Sequence, residues 1–157
     1  MTDERERVVV GVDGSAESLA ATRWAISEAR HRHADVDIIT CWYPPLVAEA
    51  SGYQVGFIDA EGYATRARTI LDAAVASIAG DAEEARVEGR SVIGRLLEGA
   101  PGPTLVSESK GAALLVVGRR GRGSLTRLLL GSVSRHVADH AECPVVVVTA
   151  HAARQPE

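Results

Sequence analysis

The chain has 157 residues, a formal net charge of −4, a hydrophobic fraction of 46% and a charged fraction of 24%. That length suits one domain with its own core, and the acidic balance argues against nucleic acid or an anionic membrane as the main partner. Any basic cluster is therefore a local feature, better suited to a small anion than to a polyanion.

Aromatic residues make up only 4% of the chain, so the core has to be built from Val, Leu, Ile and Ala. Cys41 and Cys143 form neither a disulfide framework nor a metal-ligand spacing, and each lies in or beside an apolar run. They read as buried, reduced thiols of a cytoplasmic protein. The start, MTDERERVVV, is charged and lacks an apolar signal region, and no apolar run approaches a membrane span. Residues 1–150 are expected to form a single domain, with 151–157 as a frayed, disordered tail.

In chain order, strand and helix signals alternate. RVVVGVD (7–13) is a β-branched run ended by Gly14 and Ser15, as expected of a strand buried on both faces. Ser15 is a candidate N-cap for the following helix. There Ser18, Ala21, Thr22, Ala25, Ile26 and Ala29 share one side, opposite Arg23, Ser27 and Arg30. VDIITCW (36–42) is the second strand, stopped by Pro44 and Pro45. From Tyr43 to Gly62 no period is evident, which predicts a long loop or lid.

Ala67, Ile70, Leu71, Ala74 and Ile78 recur at helical spacing. Arg86 to Leu97 reads as the third strand, although Gly89 and Gly94 blur its limits. GAPGP is expected to break it before a short helix, TLVSESK. AALLVVG (112–118) is the fourth strand, a helix is expected over 132–141, and PVVVVT (144–149) closes the series. Five strands alternating with helices predict a parallel, doubly wound α/β sheet. Ligands of such sheets bind beyond the carboxyl ends of the strands, at the switch point of the strand order.

One junction concentrates the chemistry. In VVGRRGRGSLTRLLLGSVS (116–134), Gly118 ends the fourth strand, Gly121 follows three positions later, and nine residues separate Gly121 from Gly131 and Ser132. Glycine lets the main chain approach a phosphate closely and turn several N–H groups inward. The start of the last helix adds unsatisfied N–H groups, a favourable dipole and the Ser132 hydroxyl. Arg119, Arg120 and Arg122 lie inside the same stretch and read either as phosphate contacts or as a solvated surface loop. Asp13 reads either as a ligand or as a side chain that closes its own turn. His136 and His140, four apart with Asp139 between them, could hold a metal, but no third ligand is evident, so they read as an ordinary helix surface.

The pattern G-x-x-G, nine residues, then G-S resembles the ATP-binding signature of the universal stress protein family. So do VVVGVDGS at the start, EGAP before the third helix and LLGSVSRHVADHAECPVVVV at the end. The resemblance implies a Rossmann-like sheet of the adenine nucleotide alpha hydrolase type, with strand order 3-2-1-4-5. It also implies ATP as ligand, with magnesium met by Asp13 through water. Asp13 and the main chain of Val12 would lie near the ribose or triphosphate, and Cys41 would meet adenine through its main chain. Gly118 and Gly121 would line the ribose and phosphates, and Gly131, Ser132, Val133 and Ser134 would hold phosphate at the helix start; Gly123 is counted with them as nucleotide-binding. Phosphate contact by the arginines is inferred from charge alone. Ala112-Ala113 and the Gly-Pro of PGPTLVSESK depart from the family pattern, away from this loop.

In that order the fifth strand, Val145–Val148, lies at a sheet edge. An uncharged apolar edge invites pairing, and the family pairs there, which implies a homodimer. No G-x-x-x-x-G-K-[ST] motif is present, Asp13 is the only acid that can be placed near the phosphates, and no nucleophile–base set is evident. The expected function is a nucleotide-dependent regulator of the stress response, with no catalytic residues and slow or no hydrolysis. A slow ATPase or other nucleotide-processing enzyme on this fold, or a dimeric interaction protein without nucleotide, are the alternatives.

Overall fold

The computed structural model describes residues 6–44, 46–48, 55–57, 59–79, 89–121 and 129–150. The element order is β1 (Arg7–Gly11), α1 (Ala16–Arg32), β2 (Asp35–Trp42), β3 (Leu46–Ala48), β4 (Val55–Phe57), α2 (Ala60–Ala79), β5 (Val92–Glu98), α3 (Pro101–Ser109), β6 (Leu114–Gly118), α4 (Ser132–His140) and β7 (Val145–Val148).

Five strands form one parallel sheet in the order β5-β2-β1-β6-β7. Counting only these strands along the chain, that is the expected order 3-2-1-4-5. The register sets Val8, Val9 and Val10 opposite Leu114, Leu115 and Val116 of β6. Successive side chains of a strand point to opposite faces, so the β-branched runs feed two cores. Val8, Val10, Val36, Ile38, Leu114 and Val116 pack beneath α1 and α2. Val9, Ile39, Leu115 and Val117 pack beneath α3 and α4 with Leu105 and Val137. Every residue placed on the inner side of α1 from its period is buried. On α2, Ala67, Leu71, Ala74 and Ile78 are buried and Ile70 is partly so.

Several boundaries differ from expectation. β1 stops at Gly11, leaving Val12 and Asp13 in the turn that leads to α1. The stretch read as an unstructured lid contains a short antiparallel pair, Leu46–Ala48 with Val55–Phe57, and α2 already starts at Ala60. GAPGP opens a helix as well as ending a strand: Pro101 stands at the first position of α3, where its missing N–H costs nothing and its fixed φ suits the helix. Gly102 is buried there because a Cβ would come within 2.9 Å of the His136 ring on α4. β5 begins at Val92; residues 86–88 of the expected strand lie outside the described residues, as do 151–157 of the expected tail.

At the amino end of the sheet a charged cluster ties four elements together. Asp37 Oδ2 accepts from Arg7 Nη1 at 3.1 Å and from Arg95 Nη1 at 3.0 Å. Arg95 Nη1 also meets Glu108 Oε2 at 2.6 Å, and Arg7 Nη2 donates to the Glu108 carbonyl at 2.8 Å. Hydrogen bonding to Glu108 holds the Arg95 guanidinium above its ordinary pKa.

Candidate functional site

The strand order reverses between β1 and β6, and a cleft of about 450 Å³ opens there at the carboxyl ends of the strands. Two turns make its walls, β1 into α1 and β6 into the glycine stretch, and the start of α4 closes the far side. Ile39, Leu105 and Val117 supply an apolar floor, with Cys41 and Pro101 beside it. Burial pushes the Cys41 thiol up to about 11, against a hydrogen bond to Thr104 that favours the thiolate; the carboxylate of Glu108 adds to the rise.

The β1 turn is built by its own side chains. Asp13 Oδ1 accepts from Ser15 N at 2.9 Å, and Gly14 between them takes φ 82°, a left-handed conformation suited to glycine. Ser15 Oγ then accepts from Ser18 N at 3.2 Å and caps α1. Asp13 closes its own turn, as one of its two readings expected, and it also lines the cleft.

The glycine stretch is shaped by close contact. A Cβ on Gly118 would lie 2.8 Å from the Glu17 carbonyl carbon and 2.9 Å from Ser18 N, so β6 ends directly against the first turn of α1. A Cβ on Gly121 would collide with the Asp13 carboxylate. Gly131 has φ −65° and needs no special conformation; it is small because Arg120 Cα and the Arg119 carbonyl lie 3.2 and 3.3 Å from where its Cβ would be.

Arg119 anchors this loop through its main chain. Its N–H donates to the Val148 carbonyl of β7 at 2.8 Å, and its carbonyl accepts from Gly131 N at 2.8 Å and from Ser134 Oγ at 2.7 Å. The Ser134 hydroxyl, expected at the phosphates, is buried and donates within the loop. The Gly131 N–H is likewise engaged. Ser132 and Val133, the first residues of α4, carry N–H groups with no intrahelical acceptor, and the N-cap residue, Gly131, offers no side-chain cap.

The cleft brings together Val12, Asp13, Cys41, Gly118, Arg120, Gly121, Gly131, Ser132, Val133 and Ser134. Arg122 and Gly123 lie outside the described residues. The arginines divide: Arg120 pairs with Glu17, its Nη2 3.3 Å from Oε1 and its main-chain N donating to Oε2 at 2.7 Å. Glu17 is thus a second carboxylate beside the loop, one that the sequence did not single out. Its position in the first turn of a capped helix was legible, but its partner is 103 residues away. His136 and His140 stack with ring centroids 4.5 Å apart, and His140 Nδ1 lies 2.9 Å from the His136 carbonyl.

An open parallel sheet with helices on both faces and a cleft at its switch point defines a Rossmann-like α/β protein. The family profile of the Universal stress protein family matches residues 4–149. The chain belongs to the universal stress protein family. It is 36% identical over 154 residues to a universal stress protein of Mycolicibacterium smegmatis, an alignment covering 95% of this chain and 51% of that one. The chain spans about half the length of the curated relatives it matches. Among solved structures, the universal stress protein UspA from Lactobacillus plantarum superposes with a TM-score of 0.70 at 21% identity, over 91% of this chain and 97% of that one. A universal stress protein in complex with cAMP superposes with a TM-score of 0.65 at 28% identity, over 93% and 98%. No helix among the described residues is long and apolar enough to cross a membrane.

Proposed function

We propose that this chain binds an adenine nucleotide, ATP in the first instance, and acts as a nucleotide-dependent regulator in the stress response. The observation that carries the reading is the start of α4. Its first residues, Ser132 and Val133, line the cleft, and its N-cap, Gly131, has no side chain to satisfy their N–H groups. Such a helix start is a ready anion site, and the apolar floor suits a base. The neighbour with cAMP bound supports an adenine ligand for this architecture.

In this reading Ser132 and Val133 hold phosphate, Gly118 and Gly121 admit it, Val12 and Asp13 stand at the ribose or triphosphate, and Cys41 lies beside the base. Magnesium would accompany ATP and meet Asp13 through water. ATP hydrolysis needs a group that positions water and a charge that stabilises the transition state. Asp13 already accepts from Ser15 N, and the carboxylate of Glu17 is engaged with Arg120, which favours retention of the nucleotide over turnover. Cytoplasmic location, with neither nucleic acid nor membrane as partner, fits the net charge of −4.

The uncharged strand β7 lies at the sheet edge, and a second copy pairing there as a homodimer would cover it. Light scattering that reports a monomer at micromolar concentration would sink the dimer. For the ligand, mass spectrometry of small molecules released from denatured protein should find a stoichiometric adenine nucleotide. Absence of any nucleotide, followed by no calorimetric response to ATP with magnesium, would leave an interaction protein as the better account.

A further inference from the structure

The contact between Glu17 and Arg120 joins two segments that the phosphate site needs in a fixed relation. We propose that Glu17 is a positioning residue of the site: it grips Arg120 by main chain and side chain at once, and so sets the Gly118–Gly121 turn before a phosphate arrives. The proposal rests on the nucleotide reading above and names the residue that shapes its receptor loop.

Three observations converge. The Glu17 carboxylate takes the Arg120 N–H at 2.7 Å and its guanidinium at 3.3 Å, with only 12% and 20% of the two side chains exposed. A main-chain N–H donated to a carboxylate is among the stronger hydrogen bonds. Ser15 Oγ reaches the Arg120 carbonyl from the same helix turn at 3.5 Å, so α1 addresses both polar groups of one peptide residue. Gly118 is pressed against the main chain of Glu17 and Ser18, which leaves no room for the turn to shift toward α1.

A first-turn acid already gains from its own helix dipole when it faces solvent. Here it is turned inward instead, onto a loop whose glycines would otherwise sample many conformations. Holding that loop in one shape removes an ordering cost from ligand binding. The anchorage is two-sided, because Arg119 is fixed to β7 and α4 while Arg120 is fixed to α1. Gly121, next in the chain, lines the cleft beside Asp13.

The test uses the full chain with ATP and magnesium as probe, in wild type, Glu17→Ala and Glu17→Gln, together with amide hydrogen exchange in the absence of ligand. Glu17→Ala should bind ATP roughly 10-fold more weakly and exchange the Arg120 amide faster, with β1 and β6 protected as before. Glu17→Gln keeps a carbonyl oxygen for that amide and should bind within about threefold of wild type. Unaltered ATP affinity in Glu17→Ala overturns the proposal. So does an unchanged Arg120 exchange rate, or a loss of protection that spreads through the sheet. Wild type that binds no adenine nucleotide sinks the parent reading and the positioning role with it, whereas wild-type binding with a silent Glu17→Ala sinks the positioning role alone.

Discussion

Of the helices that start beside the cleft, α1 and α4 are treated differently. The α1 start is completed from within: Ser15 caps it, Asp13 closes the preceding turn, and Glu17 places an acid in the first turn. The α4 start has glycine at the cap, no capping side chain and no acid in its first turn. Helix starts present the same unsatisfied N–H groups whatever their sequence, so the difference lies in who satisfies them. At α1 the chain does so itself. At α4 the Ser134 side chain is bonded to the Arg119 carbonyl instead, and Ser132 and Val133 line the cleft.

The contrast can be broken most severely at Gly121. Gly121→Asp would place a second carboxylate against Asp13, and nucleotide should fall below detection in the released small-molecule fraction. Ser132→Asp carries the acid of α1 over to α4. It should weaken ATP binding roughly 100-fold by calorimetry, while thermal unfolding is unchanged or slightly later, because an acid favours a helix start as a phosphate does. A joint loss of stability and binding would show that Ser132 serves the fold.

At the floor of the cleft the comparison sharpens through charge. The Cys41 thiol is pushed up to about 11, so its thiolate is scarce near neutrality. Alkylation at pH 8 should run more than roughly tenfold slower than for a free cysteine. Because the folded value is raised, the folded state keeps its proton where the unfolded chain loses it. The contribution of this thiol to stability is intact below the ordinary thiol range and declines as pH rises toward about 11. Urea midpoints that stay level across that window would refute the burial. The smallest effect belongs to Ser15→Ala, which removes the α1 cap and should cost about 1 kcal/mol in urea unfolding. ATP affinity should fall by less than in Glu17→Ala, since Ser15 Oγ reaches the Arg120 carbonyl only at 3.5 Å.

What was legible in the sequence was what is local. The strands announce themselves because buried parallel strands need unbroken β-branched runs, and RVVVG and VVVV supply them. The inner side of α1 follows from a period of 3.6, and its cap from Ser15 before the first apolar residue. Gly118, Gly121, Gly131 and Ser132 could be placed at one strand-to-helix junction because strand, glycine spacing and helix start stand next to one another. Pro101 was misjudged for a local reason too, since proline both ends strands and opens helices, and only the following residues decide which.

Tertiary structure alone decided which partner each polar group took. Arg7 and Glu108 lie 101 residues apart, and Asp37 reaches Arg95 across β2 and β5 because the parallel register pairs Ile39 with Arg95. Arg120 turned to Glu17, and Ser134 to Arg119, once α1 and α4 had packed on either side of β6. Such contacts depend on how the strands are ordered and how closely helices approach them, quantities to which no short pattern of residues responds. The sequence determined where strand, glycines and helix start meet; the packing of α1 and α4 around β6 determined which side chains hold that loop.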